Sequence, residues 1–505
     1  MKLSQLLFGI KAKEIIGLDA EITGLFHNST AVNKGGLFFC LKGLNSDGHN
    51  FVYDAVSKGA AAIVSQRVFS DLEITQIIVE DVRSAMAIIS SNFYGNPIKS
   101  MKLIGITGTN GKTTTTYIIK SIGEAAGKKV GLIGTSGIII DGQKYPPLLT
   151  TPDPIELHSI FRRMADCATD WVVMEVSAHA LALKKMDGIV ADIAVLTNCT
   201  QDHLDYFKTM DNYKQAKMIF FTPEYSKIAV VNTDDELGRQ ICYSGKTACF
   251  TYGCQNPADA FGIDYSSDVS GQKFVINMFD KLYEISFSLP GKFNMYNSLC
   301  AALTCYLLNV NLSDIAKGIK NLKTVKGRFE TYIGGGKQII IDYAHTPDGL
   351  NNVLHSIKEF CKGRIITVFG CGGERDRDKR PKMGRIVCEI SDYTVITSDN
   401  PRSENPDDII SDIEQGAKDT KHLIELLSED GTGWHLSYDA KTDSDGFGRF
   451  NWNVNSNGKY GKYKINIESQ DTTNKYSAAS GYFTINGNDL SQYSKFGAKE
   501  LVEDN

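Results

Sequence analysis

The sequence has no run of 18 apolar residues that could form a membrane-spanning helix, and the apolar stretch near its start carries a charge and no small-residue cleavage site. It also has no dense block of Lys or Arg: 54 basic and 59 acidic residues give a net charge of −5. These absences argue against membrane insertion and against a surface that binds nucleic acid. We therefore expect a cytoplasmic protein that acts on small molecules.

Paired cysteine motifs are missing as well. The 11 cysteines are an odd number, and they are scattered between Cys40 and Cys388 with no CxxC pair. This distribution fits reduced, mostly buried thiols better than a disulfide framework or a zinc site.

The chain is long enough for about three domains, and its 42% hydrophobic and 22% charged residues indicate a globular protein. Apolar runs that alternate with helical stretches predict buried strands of a mainly parallel sheet, and hence an α/β fold. These runs are Lys102–Thr107, Trp171–Val176, Ala191–Thr197, Ile228–Asn232, Gln338–Asp342 and Ile365–Phe369.

Composition changes near residue 430, where Asn, Gly, Ser and Tyr become frequent. Just before that point, Ile409–Leu427 has a helix-like pattern. Beyond it, Phe450–Trp452, Lys462–Ser469 and Ser480–Ile485 alternate polar and apolar residues between Asn/Gly turns. Such a pattern favours short antiparallel strands, and we predict a small β-sandwich-like tail.

The strongest chemical signal is a Gly-rich loop, GITGTNGKTT, from Gly105 to Thr114. It follows a predicted strand and precedes the helical run Thr115–Ala126, so its N–H groups, Lys112 and a Thr hydroxyl can hold phosphate and Mg²⁺. A tight turn without a ligand is the alternative interpretation. The strict P-loop pattern would require Gly at position 106, where this chain has Ile106.

Polar residues follow two further predicted strands. Glu175 ends the first, and His203 lies shortly after the second. Ligands of open α/β sheets bind at the carboxyl ends of strands, so these side chains indicate a metal site beside the phosphates. Taken singly, Glu175 could instead be a helix-capping charge and His203 a surface histidine.

Ten segments occur in an order and spacing that resemble the Mur ligase family. They are GTNGKTT (108–114), TTPDP (150–154), EVSAHAL (175–181), TNCTQDHLDYF (197–207), YKQAK (213–217), GKFNMYN (291–297), KGRFE (326–330), DYAHTPDGL (342–350), FGCGGERDRDKRPKMG (369–384) and DNPRSENP (399–406).

The resemblance implies three ligase domains: a UDP-binding domain at 1–98, a central ATPase domain with a P-loop-type, mainly parallel sheet at 99–324, and a Rossmann-like domain at 325–428. The third domain is predicted to be incomplete, because the GKGHE segment typical of the family is absent from this sequence. Residues 429–505 would be a β-rich tail unrelated to the ligase. We expect a monomer.

The resemblance further implies an ATP-dependent amide ligase with Mg²⁺ as cofactor, UDP-MurNAc-L-Ala-D-Glu and meso-diaminopimelate as substrates, and an acyl-phosphate intermediate. The catalytic residues would be Lys112, Lys217 and His203. Lys217 corresponds to the lysine that the family carbamylates, a change that turns a cation into an oxygen ligand. From its sequence context alone, Lys217 would be an ordinary surface lysine.

Other site residues follow from the same resemblance. ATP would be bound by Gly108, Thr109, Asn110, Gly111, Lys112, Thr113, Thr114, Asn294, Arg328 and Asp342. Two Mg²⁺ ions are implied: Thr113 and Glu175 would bind one, His203 would bind the second, and Lys217 would supply an oxygen ligand as its carbamate. The UDP substrate would be bound by Ser29, Asn45, Ser46, Thr150, Thr151, Ser177 and Lys185, and the incoming amino acid by Arg380, Asp399, Asn400, Pro401 and Arg402.

Several positions depart from the family pattern. Asn28 replaces an Asp, Thr30 an Arg, and Lys185 an Arg, so charge or bidentate geometry is lost at these points. Three alternatives therefore stay open. They are a lysine-adding ligase, an impaired ligase whose β-tail is a glycan- or protein-binding module, and a folylpolyglutamate synthetase, although the last would begin near its phosphate loop.

Overall fold

The computed structural model describes residues 1–43, 46–147, 149–268, 270–334 and 337–417 in full, and beyond residue 417 the backbone of six strands. All 11 cysteines lie within the described residues as free thiols. Among these residues, no helix combines the length and apolar character needed to cross a bilayer.

The first part of the chain forms a five-stranded sheet in the order β1-β5-β4-β3-β2. Only the β1–β5 pair is antiparallel. Its elements are α1 (Leu3–Leu6), β1 (Ala12–Ile16), β2 (Gly24–Phe26), β3 (Gly36–Phe39), α2 (Val52–Ser57), β4 (Ala60–Ser65), β5 (Thr75–Val79) and α3 (Val82–Phe93).

The central part contains an 11-stranded sheet in the order β16-β15-β14-β13-β12-β11-β6-β10-β7-β8-β9. Its first elements are β6 (Lys102–Thr107), α4 (Lys112–Ala125), β7 (Val130–Gly134), β8 (Gly137–Ile140), β9 (Gln143–Tyr145), α5 (Pro154–Asp166), β10 (Trp171–Glu175), α6 (Ala178–Ala182), β11 (Ala191–Leu196), α7 (Leu204–Phe207) and α8 (Met210–Met218). The remainder are β12 (Ser226–Asn232), α9 (Glu236–Ser244), β13 (Ala248–Gly253), β14 (Ala260–Asp268), β15 (Gly271–Met278), β16 (Lys281–Phe287), α10 (Lys292–Leu307) and α11 (Leu312–Asn321).

The middle strands of this sheet are parallel and covered on both faces, as the apolar runs predicted. In β6, Ile104 and Ile106 pack into the core beneath α4 and α10, whereas Leu103 packs into the opposite core with residues of α5. Successive side chains of a strand point to opposite faces of the sheet, and here each face packs against a hydrophobic core. Almost every residue of these strands is therefore apolar. The carboxyl ends of β6, β10 and β11 consequently lie side by side at one edge.

The third part begins with a hairpin that differs from the prediction. Its elements are β17 (Glu330–Gly334), β18 (Lys337–Ile341), α12 (Pro347–Phe360), β19 (Ile366–Phe369), α13 (Lys379–Ile390), β20 (Tyr393–Thr397), α14 (Pro406–Ala417), β21 (Leu423–Leu427) and β22 (Trp434–Ser437). The run Gln338–Asp342 was predicted to be buried and parallel. Instead β18 pairs antiparallel with β17, and Ile339 and Ile341 are 63% and 48% exposed.

A four-stranded sheet in the order β19-β20-β21-β22 follows, with the first three strands parallel. The helix-like stretch Ile409–Leu427 is helical only to Ala417, and its end is strand β21. Ile409, Ile410 and Ile413 are the buried apolar residues of the helix. The later run LIELL has a short apolar pattern that is compatible with a helix or a strand, and here it forms a strand.

The predicted β-sandwich lies outside the residues whose side chains are described. The backbone there forms β23 (Arg449–Phe450), β24 (Gly461–Gln470), β25 (Tyr476–Ile485) and β26 (Phe496–Gly497). Strands β24 and β25 pair antiparallel, as do β23 and β26.

Candidate active site

A cleft of about 1230 Å³ lies between the carboxyl edge of the central sheet and the third part of the chain. Its walls bring together side chains that are far apart in sequence. They include Thr109–Thr114, Glu175, Ser177, His203, Asn294, Arg328, Asp342, Asp399, Asn400 and Arg402. Most residues predicted to bind ATP or the amino acid therefore line one space.

The Gly-rich loop joins β6 to α4, which begins at Lys112 rather than at Thr115 as predicted. Gly108 and Gly111 have φ of 148° and 85°, values that favour glycine. A Cβ on Gly108 would lie 1.8 Å from Thr197 Oγ1, and one on Gly111 would lie 2.4 Å from Asn297 Oδ1. Both positions therefore require glycine, and the first N–H groups of α4 have no preceding helical turn to bond.

Lys112 projects back over this loop. Its Nζ donates to the carbonyl oxygens of Gly108 and Thr109 at 2.9 and 2.8 Å. Burial lowers the pKa of Lys112 to about 8, although the Glu175 carboxylate opposes this shift. A buried ammonium that bonds only neutral carbonyls is suited to bind an anion.

Glu175, at the end of β10, is 1% exposed and faces the start of α4. Its Oε1 accepts hydrogen bonds from Thr113 Oγ1 at 2.9 Å and from the Thr135 N–H at 3.0 Å. Arg328 Nη2 also donates to Thr113 Oγ1, at 3.0 Å. A carboxylate beside a Thr hydroxyl at a phosphate loop is a hard-oxygen pair that suits Mg²⁺.

His203 has a left-handed backbone, with φ of 57°, at the start of α7. Burial lowers its pKa to about 3, so the ring is neutral. Its Nε2 lies 3.3 Å from Asp202 Oδ2, and its buried Nδ1 has no hydrogen-bond partner among the described residues. An unpaired imidazole nitrogen can ligate a cation, although Mg²⁺ prefers oxygen.

The metal site is incomplete with side chains alone. Within the described residues, no group of three or more His, Cys, Asp and Glu could hold a metal ion. Thr113 and Glu175, which are hydrogen-bonded to each other, fit a divalent cation whose remaining ligands come from phosphate oxygens and water, as is usual for Mg²⁺ in nucleotide sites. The unpaired Nδ1 of His203 is a separate candidate ligand.

Lys217 is completely buried on α8. Its Nζ lies 3.4 Å from Thr109 Oγ1 and 4.2 Å from the centre of the Tyr213 ring. Burial lowers the pKa of Lys217 to about 8. The prediction of an ordinary surface lysine from sequence context alone is wrong, because this side chain points inward at the phosphate loop.

The other predicted ATP residues come from α10 of the central part and from the start of the third part. Asn294 is buried, and its amide donates to the Pro290 carbonyl at 2.8 Å. Asp342 accepts the Phe329 N–H at 2.7 Å, and burial raises the pKa of its carboxyl. Arg328 stacks on Tyr343, with its guanidinium carbon 4.7 Å from the ring centre.

The predicted amino-acid residues divide into two groups. Asp399, Asn400 and Arg402 line the cleft, and Arg402 is exposed with a φ of 53° and donates to the Gly373 carbonyl. Pro401 does not line the cleft. Arg380, by contrast, is 0% exposed.

Arg380 is committed to partners within the third part of the chain. Its guanidinium donates to both oxygens of Glu404 at 2.9 Å and to Asp412 at 2.9 Å. It also donates to the Gly372 carbonyl at 3.2 Å. In this arrangement Arg380 anchors α13 to the loop beyond Arg402 instead of facing the cleft.

The predicted substrate residues are likewise in two places. Thr151 Oγ1 donates to the Glu175 carbonyl at 3.0 Å and accepts the Ser177 N–H at 3.0 Å. Lys185 pairs with Asp153 at 2.9 Å, and Thr150 Oγ1 lies 3.0 Å from Thr135 Oγ1. Ser29 and Ser46 lie in the first part of the chain, outside the cleft lining. Asn45 lies outside the described residues.

Sequence reasoning assigned no role to Asp202, which is 3% exposed beside His203. Lys379 Nζ and His345 Nε2, both from the third part, approach it at 3.3 and 3.5 Å. Burial acts to raise the pKa of Asp202, but hydrogen bonding to His345 and the charge of Lys379 hold it well below its usual range. The sequence feature that could have identified Asp202 is its position next to His203, in a polar segment that follows a predicted strand.

Comparison with known proteins gives a consistent result. Family models described as "Mur ligase family, catalytic domain", "Mur ligase middle domain" and "Mur ligase, glutamate ligase domain" match residues 21–94, 106–305 and 327–430. A protein of Clostridium acetobutylicum named "UDP-N-acetylmuramoyl-L-alanyl-D-glutamate--2,6-diaminopimelate ligase 1" is 44% identical over 84% of this chain and 89% of its own length. A Clostridium perfringens protein with the same name, without the final numeral, is 42% identical over 84% of this chain and 89% of its own length.

A solved structure is also similar. "Structure of UDP-N-acetylmuramoyl-L-alanyl-D-glutamate--2, 6-diaminopimelate ligase" superposes with a TM-score of 0.62 at 28% sequence identity. The match covers 82% of this chain and 87% of that one. The similarity therefore extends through all three sheet-containing parts of the described chain.

The burial of Arg380 generates a stability prediction. Arg380→Ala should lower the free energy of unfolding by about 3 kcal/mol, because two carboxylates would lose their buried partner. Arg385→Ala, on the exposed face of the same helix, should cost less than about 1 kcal/mol. Urea unfolding of both variants measures this, and equal midpoints would contradict an anchoring role for Arg380.

Proposed function

The chain belongs to the Mur ligase family, and from this we propose that it is an ATP-dependent ligase that adds meso-diaminopimelate to UDP-MurNAc-L-Ala-D-Glu. The product is a precursor of peptidoglycan. The relatives at 44% and 42% identity carry names that state this activity. The observation that carries the proposal is the single cleft, which joins the phosphate loop and Glu175 to the loop Asp399–Arg402.

The reaction has two steps. A carboxylate of the dipeptide attacks the γ-phosphorus of ATP, giving an acyl phosphate and ADP. The amine of meso-diaminopimelate then attacks the acyl carbon, loses a proton, and displaces phosphate to leave an amide. Both steps concentrate negative charge, so the enzyme's main task is to neutralise and position it.

The phosphate loop supports the first step. The N–H groups at the start of α4 and the Lys112 ammonium would hold the β- and γ-phosphates, while Arg328 would reach the same oxygens from the third domain. Thr113 and Glu175 would hold one Mg²⁺ and His203 a second, and the bound cations would neutralise phosphate charge. Asn294 and Asp342 would face the adenosine.

We propose that Lys217 carries a carbamate. Its amine reacts with CO₂, forming an N–C bond and releasing a proton, so that an anion replaces the cation. Complete burial beside Thr109, with no carboxylate within salt-bridge distance in the described part of the chain, supports this change. The carbamate would orient the metal or its water ligands.

The remaining substrate groups fit the same scheme. Ser29, Asn45 and Ser46 would bind the uridine nucleotide, and Thr150, Thr151, Ser177 and Lys185 would bind the muramyl dipeptide. The chain would divide into functional units at residues 98, 324 and 428. Because its substrates are cytosolic nucleotides and an amino acid, we place the enzyme in the cytoplasm.

The test is ATP hydrolysis and amide formation by the full chain. We expect phosphate release that requires both UDP-MurNAc-L-Ala-D-Glu and meso-diaminopimelate, together with a product of the corresponding mass. Lys112→Ala should reduce turnover at least about 100-fold through loss of transition-state stabilisation. Lys120→Ala, two turns further along α4 and paired with Glu124, is the matched control. Absence of product from the folded, unmodified chain would favour an impaired ligase.

The carbamate has its own signature. Lys217→Ala should be inactive and partly recover with added formate or acetate, whereas Lys217→Arg should be inactive without recovery, because guanidinium neither carries CO₂ nor binds a cation. Lys214→Ala, one turn earlier on α8 and paired with Glu236, should be active. Full activity of Lys217→Arg would refute the carbamate.

Choice of amino acid should depend on Arg402. Its guanidinium can pair with the distal carboxylate of meso-diaminopimelate and would repel the lone distal ammonium of lysine. We expect the unmodified enzyme to prefer meso-diaminopimelate, and Arg402→Ala to lose that preference. Arg385→Ala provides the control. Competition between the two amino acids measures the ratio of kcat/KM, and equal use of lysine by the unmodified enzyme would contradict the assignment.

A further inference from the structure

The side chain of Asn110, at the tip of the phosphate loop, bonds across the seam to the third domain. Its Nδ2 donates to Asp348 Oδ2 at 2.8 Å. Its Oδ1 accepts a hydrogen bond from Thr346 Oγ1 at 3.2 Å. Both ends of one amide are therefore used by two residues at the start of α12.

These partners belong to the N-terminus of α12. Thr346 is its N-cap, since its hydroxyl accepts the Gly349 N–H at 3.0 Å. Asp348 lies in the first turn, where a carboxylate is favoured by the helix dipole. A contact to these residues therefore fixes the end of the helix as a rigid element.

The backbone of Asn110 is fixed separately on the central domain. Its N–H donates to Asn198 Oδ1 at 2.9 Å, and its carbonyl accepts from Thr197 Oγ1 at 2.6 Å and from Asn198 Nδ2 at 3.1 Å. The main chain of Asn110 is therefore bonded to the central domain, and its side-chain amide is bonded to the third domain. Asn110 connects the two domains, and its side chain is already occupied by protein partners.

The contact is partly buried and directional. Thr346 is 0% exposed. Burial raises the pKa of Asp348, whereas the hydrogen bond that Asn110 donates stabilises the ionised carboxylate and opposes this shift. A buried carboxylate without such donors is costly. Because Thr346 donates and Asp348 accepts, an amide satisfies both, whereas a carboxylate at position 110 would face Asp348 with like charge.

We propose that Asn110 is a positioning residue that locks the phosphate loop to the first turn of α12, so that the ATP site and the third domain are set in one arrangement. The segment that leads into α12 carries Asp342 and His345, and His345 also approaches Asp202. The catalytic part of this inference rests on the proposed ligase function. The contact between the phosphate loop and α12 does not depend on that function.

A charge-swap series tests the lock. Asn110→Asp should lower kcat/KM at least about tenfold, because two carboxylates would meet in a partly buried space. In the double variant Asn110→Asp/Asp348→Asn, the new amide donates to the new carboxylate, and Thr346 still finds an acceptor. We expect the double variant to be at least about fivefold more active than Asn110→Asp alone. Damage in the double variant equal to or greater than the product of the single effects would overturn the proposal.

Asp348 separates positioning from helix capping. Asp348→Ala should raise the KM for meso-diaminopimelate about tenfold while changing the dissociation constant of ADP less than about threefold, and Asp348→Asn should retain most activity because it still accepts from Asn110. Asp407→Ala, in the exposed first turn of α14, is the control. If Asp348→Ala lowers only the thermal midpoint and leaves these constants unchanged, the residue is merely a cap and the proposal fails.

Hydrogen exchange provides a readout that needs no substrate. In the ligand-free protein, Asp348→Ala should speed amide exchange in phosphate-loop peptides spanning 106–116, on the other side of the seam, whereas Asp407→Ala should not. The double swap should restore slow exchange. Unchanged exchange at 106–116 in Asp348→Ala would refute the lock whether or not the chain proves to be a ligase.

Discussion

Positive charge is buried at the phosphate loop without a contacting carboxylate, and the surrounding site depends on this constraint. Lys112, which is partly buried, bonds two carbonyls, and the fully buried Lys217 bonds a hydroxyl. Burial lowers the pKa of both lysines to about 8, because removal from water disfavours their charged forms. An anionic ligand at Lys112 and a carbamate at Lys217 would both relieve the same electrostatic cost.

The carboxylates nearby are assigned elsewhere. Glu175 is held by Thr113 and Thr135, and Asp202 is held by groups of the third domain. Each acid therefore orders a loop or a domain contact, and neither forms an ion pair with Lys112 or Lys217. The separation leaves these two lysines without a carboxylate partner and leaves the Glu175 oxygens beside the phosphate loop, where a metal ion would bind.

Much of this arrangement could be predicted from sequence, because parallel strands bring their polar ends to one edge. The run KLIGIT, its Gly-rich loop and the residues after β10 and β11 depend only on local pattern and a general rule of α/β sheets. The inward direction of Lys217 could not be read from its neighbours, since an amphipathic helix presents lysine equally well to solvent. Family resemblance alone indicated it.

Long-range partners account for the remaining differences. Arg380 shares a segment with residues that face the cleft, yet Glu404 and Asp412 draw it into the third domain. Strand β18 has the apolar composition of a core strand but pairs only with β17 among the described strands. Asp202 and Asn110 contact residues of the third domain that lie more than 130 positions later in the sequence. A local sequence pattern cannot predict such contacts.

The left-handed backbone at His203 and Arg402 has a consequence for how this protein can change. Neither residue is glycine, and each holds a conformation that costs an L-residue on the order of 1 kcal/mol. Replacing either with Asn, which tolerates this conformation, would relieve part of that cost while removing a side chain that faces the cleft. Gly would relieve the strain as well, but the larger entropy of its unfolded chain offsets much of the gain. Selection for thermostability alone would therefore erode the ligase at these two positions, and variants that gain heat resistance there should be screened for lost activity.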